Sequence, residues 1–150
     1  KTKSYSPKLL QYSKYYKRFG YVLEVRTVSE EYLVAMKLMS GRQYKNDISD
    51  IIGILREQKE RGKPLTLERI KTAVCDLYDC WDNLPQDSRA LIAEVMRDEQ
   101  YEALYEQYIR NERITKESLL DFEKIYPGIA NTDNVDDIIQ NLKARKEQEH

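Results

Sequence analysis

The stretch YVLEVRTVSEEYLVAMKLMSGRQYKNDISDIIGILRE, residues 21–57, decides the fold. Residues 21–28 are rich in Val, Leu and Tyr and read as a strand. Ser29 has the side chain of a helix N-cap, and Glu30 and Glu31 suit the positive end of a helix over residues 30–39. Gly41 has the backbone freedom that a tight connection between helices needs. A second helix runs over about residues 43–61, with Tyr44, Ile48, Ile51, Ile52 and Leu55 on one stripe. A strand leading into two connected helices is the expected organising motif.

The charged residues of this motif are its candidate functional groups. Lys37 lies inside the apolar run YLVAMKLM, where an ammonium is costly to bury unless it is paired or its tip reaches water. Arg42, Lys45, Asp47 and Asp50 cluster at the start of the second helix, and the two aspartates, three apart, share a face. Spacing alone favours a structural role. Lys37 or Arg42 then pairs with Asp47 or Asp50 across the turn and pins the two helices together. Glu24, flanked by Leu23 and Val25, projects to the opposite face of the strand from its neighbours. An exposed strand glutamate is the ordinary explanation; a metal-binding carboxylate is the sharper one.

Upstream, residues 1–20 interleave Lys1, Lys3, Lys8, Lys14, Lys17 and Arg18 with Tyr5, Tyr12, Tyr15, Tyr16 and Phe19. Bases with aromatic rings are a nucleic-acid-binding composition, through phosphate contacts and base stacking. The competing expectation, which the spacing favours, is an amphipathic helix over residues 7–18. Ser6 would cap it, Pro7 would open it, and Leu9, Tyr12, Tyr16 and Phe19 would face the core.

Downstream, everything reads as helix. Thr66 caps a helix carrying Leu67, Ile70, Val74, Leu77 and Trp81. A helical segment over residues 86–111 loses its register near Asp98, and its Tyr101, Tyr105 and Tyr108 form an aromatic stripe suited to core or interface. Thr115 and Thr132 are read as caps of two further helices. Asp76, Asp79 and Asp82, at intervals of three, read as a solvated helix face rather than a metal site.

The fold class expected is therefore mainly α: a multi-helix bundle with one short N-terminal strand. Residues 1–150 form a single helical domain, with a motif at 21–57 and a helical region at 64–150. A length of 150 residues, 41% hydrophobic, supports one core. The net charge of −1 argues against polyanion binding by the chain as a whole. No apolar run is long enough to span a bilayer. Cys75 and Cys80, five apart, are on different faces of a helix, which speaks for reduced thiols and a cytoplasmic setting.

The segment EYLVAMKLMSGRQYKNDISDI resembles bacterial nucleotidyltransferase-like proteins of the abortive-infection toxin type and related uncharacterised members. Their pattern runs from a strand into a helix with an alanine and a lysine. A turn with an arginine and a further base follows, then two aspartates. Lys37, Arg42, Lys45, Asp47 and Asp50 match it in order over about residues 22–55, and NVDDIIQNLKARK resembles the ending of some members. The resemblance implies that this is the C-terminal part of an α/β nucleotidyltransferase-like fold. It implies Glu24 as a third carboxylate, Lys37, Arg42 and Lys45 as substrate contacts, and Asp47 and Asp50 as positioning residues. The family's Gly-Ser turn and Asp-x-Asp pair, which hold magnesium and a nucleoside triphosphate, have no counterpart in these 150 residues. The chain alone is accordingly expected to hold no cofactor and to be catalytically inactive. The alternatives are a helical protein-interaction or antitoxin-like module, pairing with a protein or a second copy, and a domain that binds RNA.

Overall fold

The structure, a computed structural model, describes residues 6–42 and 45–149. Gln43 and Tyr44, assigned above to the start and stripe of the second helix, lie outside the described residues, as do Lys1, Lys3 and Tyr5. Among the described residues the chain runs α1 (Leu9–Tyr12), β1 (Lys14–Phe19), β2 (Leu23–Thr27), α2 (Glu30–Ser40), α3 (Asp47–Glu60), α4 (Leu67–Tyr78), a 3-10 turn (Trp81–Asn83), α5 (Gln86–Asp98), α6 (Tyr101–Ile125) and α7 (Val135–Gln148). The architecture is mainly α, with one small sheet near the start.

α2 is the centre of the core. It packs against α4 on one side and α3 on the other, and α3 in turn packs along α6. Val34, Ala35 and Leu38 of α2 meet Ile51, Ile52 and Leu55 of α3, Ile70, Ala73, Val74 and Leu77 of α4, and Ile92 and Val95 of α5. The positions follow helical periodicity, so each helix buries one stripe. α2 ends where Gly41 takes the left-handed conformation, φ 53°, and its N–H donates to the Lys37 carbonyl. A Cβ at Gly41 would also stand 3.0 Å from Ser88 Oγ, so α5 approaches this turn closely. Thr66 caps α4, its hydroxyl accepting from the Arg69 N–H.

Several sequence expectations are corrected. Only Leu9–Tyr12 of the expected N-terminal helix is helical. The residues after it pair with the expected strand as an antiparallel hairpin, closed by a three-residue turn in which Gly20 has φ 60°. The physical reason is the strand's need for a ladder: a lone β2 would leave its backbone groups without sheet partners, and aromatic-rich β1 supplies them. Tyr16 and Phe19 are consequently exposed, not core. Trp81 leaves α4, because Asp79 ends the helix at φ 75°, so Asp76, Asp79 and Asp82 share no helix face. The segment at 86–111 divides at Glu99, φ 55°. Thr115 is a buried interior residue of α6, not a cap, and α7 begins after Asn134, not Thr132.

Candidate functional site

The turn between α2 and α3 brings four of the sequence-selected residues together. α2 carries Lys37 on its last full turn, and the chain reverses at Gly41 so that Arg42 faces the first turn of α3. Lys37 Nζ donates to Asp50 Oδ2 at 2.6 Å and lies 3.7 Å from Asp47 Oδ1. Arg42 grips Asp47 with its backbone N–H (3.1 Å), Nε (2.9 Å) and Nη2 (3.3 Å). Asp47 is buried while Lys37 and Arg42 are only partly covered. Burial alone would raise the Asp47 carboxyl, but the hydrogen bonds from Arg42 and the Ser40 hydroxyl hold it below the ordinary carboxylate range. This lattice closes the α2–α3 turn. Lys45 stands on the exposed turn just before α3.

Glu24 is not part of the lattice. It sits on β2, and its hydrogen-bond and ion-pair contacts among the described residues are with Arg26, at 2.8 Å. The carboxylates suggested by the resemblance are thus divided: Glu24 is held by Arg26, and Asp47 and Asp50 by Arg42 and Lys37. Among the described residues no group of three or more Asp, Glu, His or Cys side chains is placed to hold a metal ion.

Glu112 is the residue that sequence reasoning missed. It projects from α6 and is only 5% exposed. Its Oε1 accepts the N–H groups of Ile48 and Ser49, both at 3.1 Å, so a side chain some sixty residues away caps α3. Oε2 has no hydrogen-bond partner among the described residues. Burial pushes the Glu112 carboxyl above its usual range, and the two backbone N–H bonds oppose that shift only in part. No sequence signal pointed to it: a helix read over residues 86–111 and a cap read at Thr115 leave Glu112 between two elements.

Beside this seam lies a half-open cleft of about 350 Å³. Leu38, Ile48, Ile51 and Leu91 form its apolar lining, Ser88, Tyr108 and Asn111 add polar groups, and Lys37 and Lys143 both line it.

The hairpin is a second, separate surface. β1 consists of three bases and three aromatic residues, and all six are exposed. Tyr21 and Val22, in its turn, are 96% and 95% exposed. Its root is fixed. Ser6 Oγ donates to the Leu77 carbonyl, Lys8 pairs with Asp79, and the Tyr12 ring stacks on Tyr32 at 5.1 Å. Arg26 donates to both the hydroxyl and the carbonyl of Ser13.

Among the described residues no helix is long and apolar enough to cross a membrane. Compared with known proteins, the chain matches no family model, no curated protein and no solved structure.

Proposed function

We propose that this chain is a non-catalytic helical module that binds nucleic acid, RNA in the first instance, through the β1–β2 hairpin. One observation carries the reading: a strand made wholly of bases and aromatic residues, with all of them exposed. Phosphates attract the first kind of side chain and base faces the second. Charge distribution supports it. Residues 1–28 hold seven bases and one acid, leaving eighteen bases against twenty-five acids in residues 29–150. The net charge of −1 therefore joins a basic end to an acidic body. Lys37 and Arg42, each held by an aspartate, serve the body. The test is fluorescence anisotropy of a labelled 20-nucleotide RNA titrated with the full chain across a salt series. Two to three phosphate contacts give a slope of log K against log salt of roughly −1.4 to −2 for a single strand. Absence of binding at low salt, or binding that salt leaves unchanged, refutes the proposal.

A second reading keeps the chain as the helical C-terminal portion of a nucleotidyltransferase-like protein. It is favoured by the lysine of the quoted pattern, Lys37, standing on the lining of a cleft with Lys143. On this reading the 150 residues alone transfer no label from Mg·ATP or Mg·CTP, and measurable transfer to RNA or protein overturns it.

A further inference from the structure

We infer that the hairpin is built for single-stranded rather than duplex nucleic acid, with Tyr15, Tyr16 and Tyr21 as stacking platforms and Lys14 and Arg18 as phosphate contacts; this rests on the nucleic-acid reading of the hairpin. The register sorts its side chains. Lys14, Lys17 and Phe19 share one face with Thr27, Val25 and Leu23, while Tyr15 and Arg18 share the other with Arg26 and Glu24. The register shifts between Tyr15 and Lys17, which sets Tyr16 at a bulge.

Local contacts occupy some of these exposed groups. The Lys17 ammonium lies over the Phe19 ring, 4.8 Å from its centroid. Arg26 is held by Glu24 and Ser13. The hairpin's exposed rings and cations without such contacts are three tyrosines, 59%, 67% and 96% exposed, and two cations, Lys14 and Arg18, that pair with no acid among the described residues. None of the three tyrosines stacks on another ring among the described residues.

That set matches unstacked bases. A duplex presents base edges in its grooves, read by Arg, Lys, Asn and Gln forks, and β1 and β2 contain no Asn or Gln. Two outward cations are also few for a duplex, whose affinity rests on many phosphate contacts. Ring faces serve single strands, whose bases are free to stack on aromatic side chains whatever their sequence.

The experiment compares one labelled 20-nucleotide single strand, as RNA and as DNA, with the same sequence as a duplex, each titrated with the full chain at low salt. The expected result is at least tenfold tighter binding of the single strand. Tyr15→Leu with Tyr16→Leu should weaken it about tenfold or more, with the helical circular dichroism unchanged. Tyr21 lies in the turn outside the ladder, so Tyr21→Leu removes a ring without touching strand pairing, and a several-fold loss is expected from it alone. Duplex binding as tight as single-strand binding, or indifference of single-strand binding to Tyr21→Leu, overturns the inference while leaving the hairpin a nucleic-acid contact. Binding to none of the three overturns both, and leaves the ribbon to a protein partner.

Discussion

The α2–α3 seam and the β1–β2 hairpin are built from similar residue types and put them to opposite uses. In the seam Asp47 is answered by Arg42, Asp50 by Lys37, and the Ile48 and Ser49 N–H groups by one oxygen of Glu112. In the hairpin the cations and rings of β1 face solvent. A buried polar group must find a partner or cost stability. An exposed one is under no such demand, so its arrangement reports on what lies outside the chain. The seam explains how the body holds together, and the hairpin indicates where it meets something else.

Substitutions separate the two regions by which measurement they move. The largest stability loss is expected in the core behind the seam. Ile52→Ala, at a fully buried position, should cost about 3 kcal/mol and lower the denaturation midpoint without altering oligonucleotide binding by the remaining folded protein. Glu112→Ala comes next, at about 2 kcal/mol, because it leaves the buried Ser49 N–H and the half-buried Ile48 N–H without their acceptor. Glu112→Gln keeps an acceptor oxygen, so it should recover most of that loss in a urea melt.

The pH dependence is more delicate. Asp47 has a folded pKa below its unfolded value of 3.8, so its contribution is present above that value and disappears as pH falls through the folded pKa. Glu112 has the opposite sign. Its folded pKa lies above the ordinary 4.5, so acidification between the folded and unfolded values favours the folded state. Asp47→Asn should therefore lose about 1 kcal/mol near neutrality, a difference that shrinks as the pH falls below 3.8. A constant difference across urea melts from pH 7 to pH 3 would contradict the assignment.

Lys37→Met should have the smallest effect within the seam, within roughly 0.5 kcal/mol, because its nearer partner Asp50 is half exposed and screened and the buried Asp47 is held by Arg42. A loss several times larger in a thermal melt would give this lysine a buried-pair role. Smallest of all for stability is Tyr21→Ser in the hairpin turn, expected within about 0.5 kcal/mol of the parent protein. A marked drop in its melting temperature would show that Tyr21 is packed in solution and would erase the contrast between the two regions.

The helical body was legible because its stripes repeat with the helical period. Ile48, Ile51, Ile52 and Leu55, and Ile70, Val74 and Leu77, lie where that period places them. The hairpin's second strand was legible, but β1 was not, for a local reason. The bulge at Tyr16 breaks the two-residue alternation that marks a strand, while Tyr12, Tyr16 and Phe19 imitate helical spacing. Its charge was masked by averaging, because an acidic body cancels a basic end. Arg42 and Lys37 were legible as partners of the two aspartates because a short turn limits the choices. Glu112 was beyond reach, since nothing within a few residues of it announces that it will cap α3.

The length of α6 has one more consequence. Its 25 residues make a rod about 37 Å long, of which the first part lies against α3 and the later part against α7. Tyr101, Glu112 and Thr115 are its buried positions, whereas Leu120 and Ile125 are exposed. A continuous helix therefore spans two environments of unequal packing. In amide hydrogen exchange, residues 101–115 should be protected to nearly the global unfolding free energy, while residues 116–125 should exchange earlier, together with α7. The rod would then melt from its far end inward, with Thr115 marking the front at which unwinding halts.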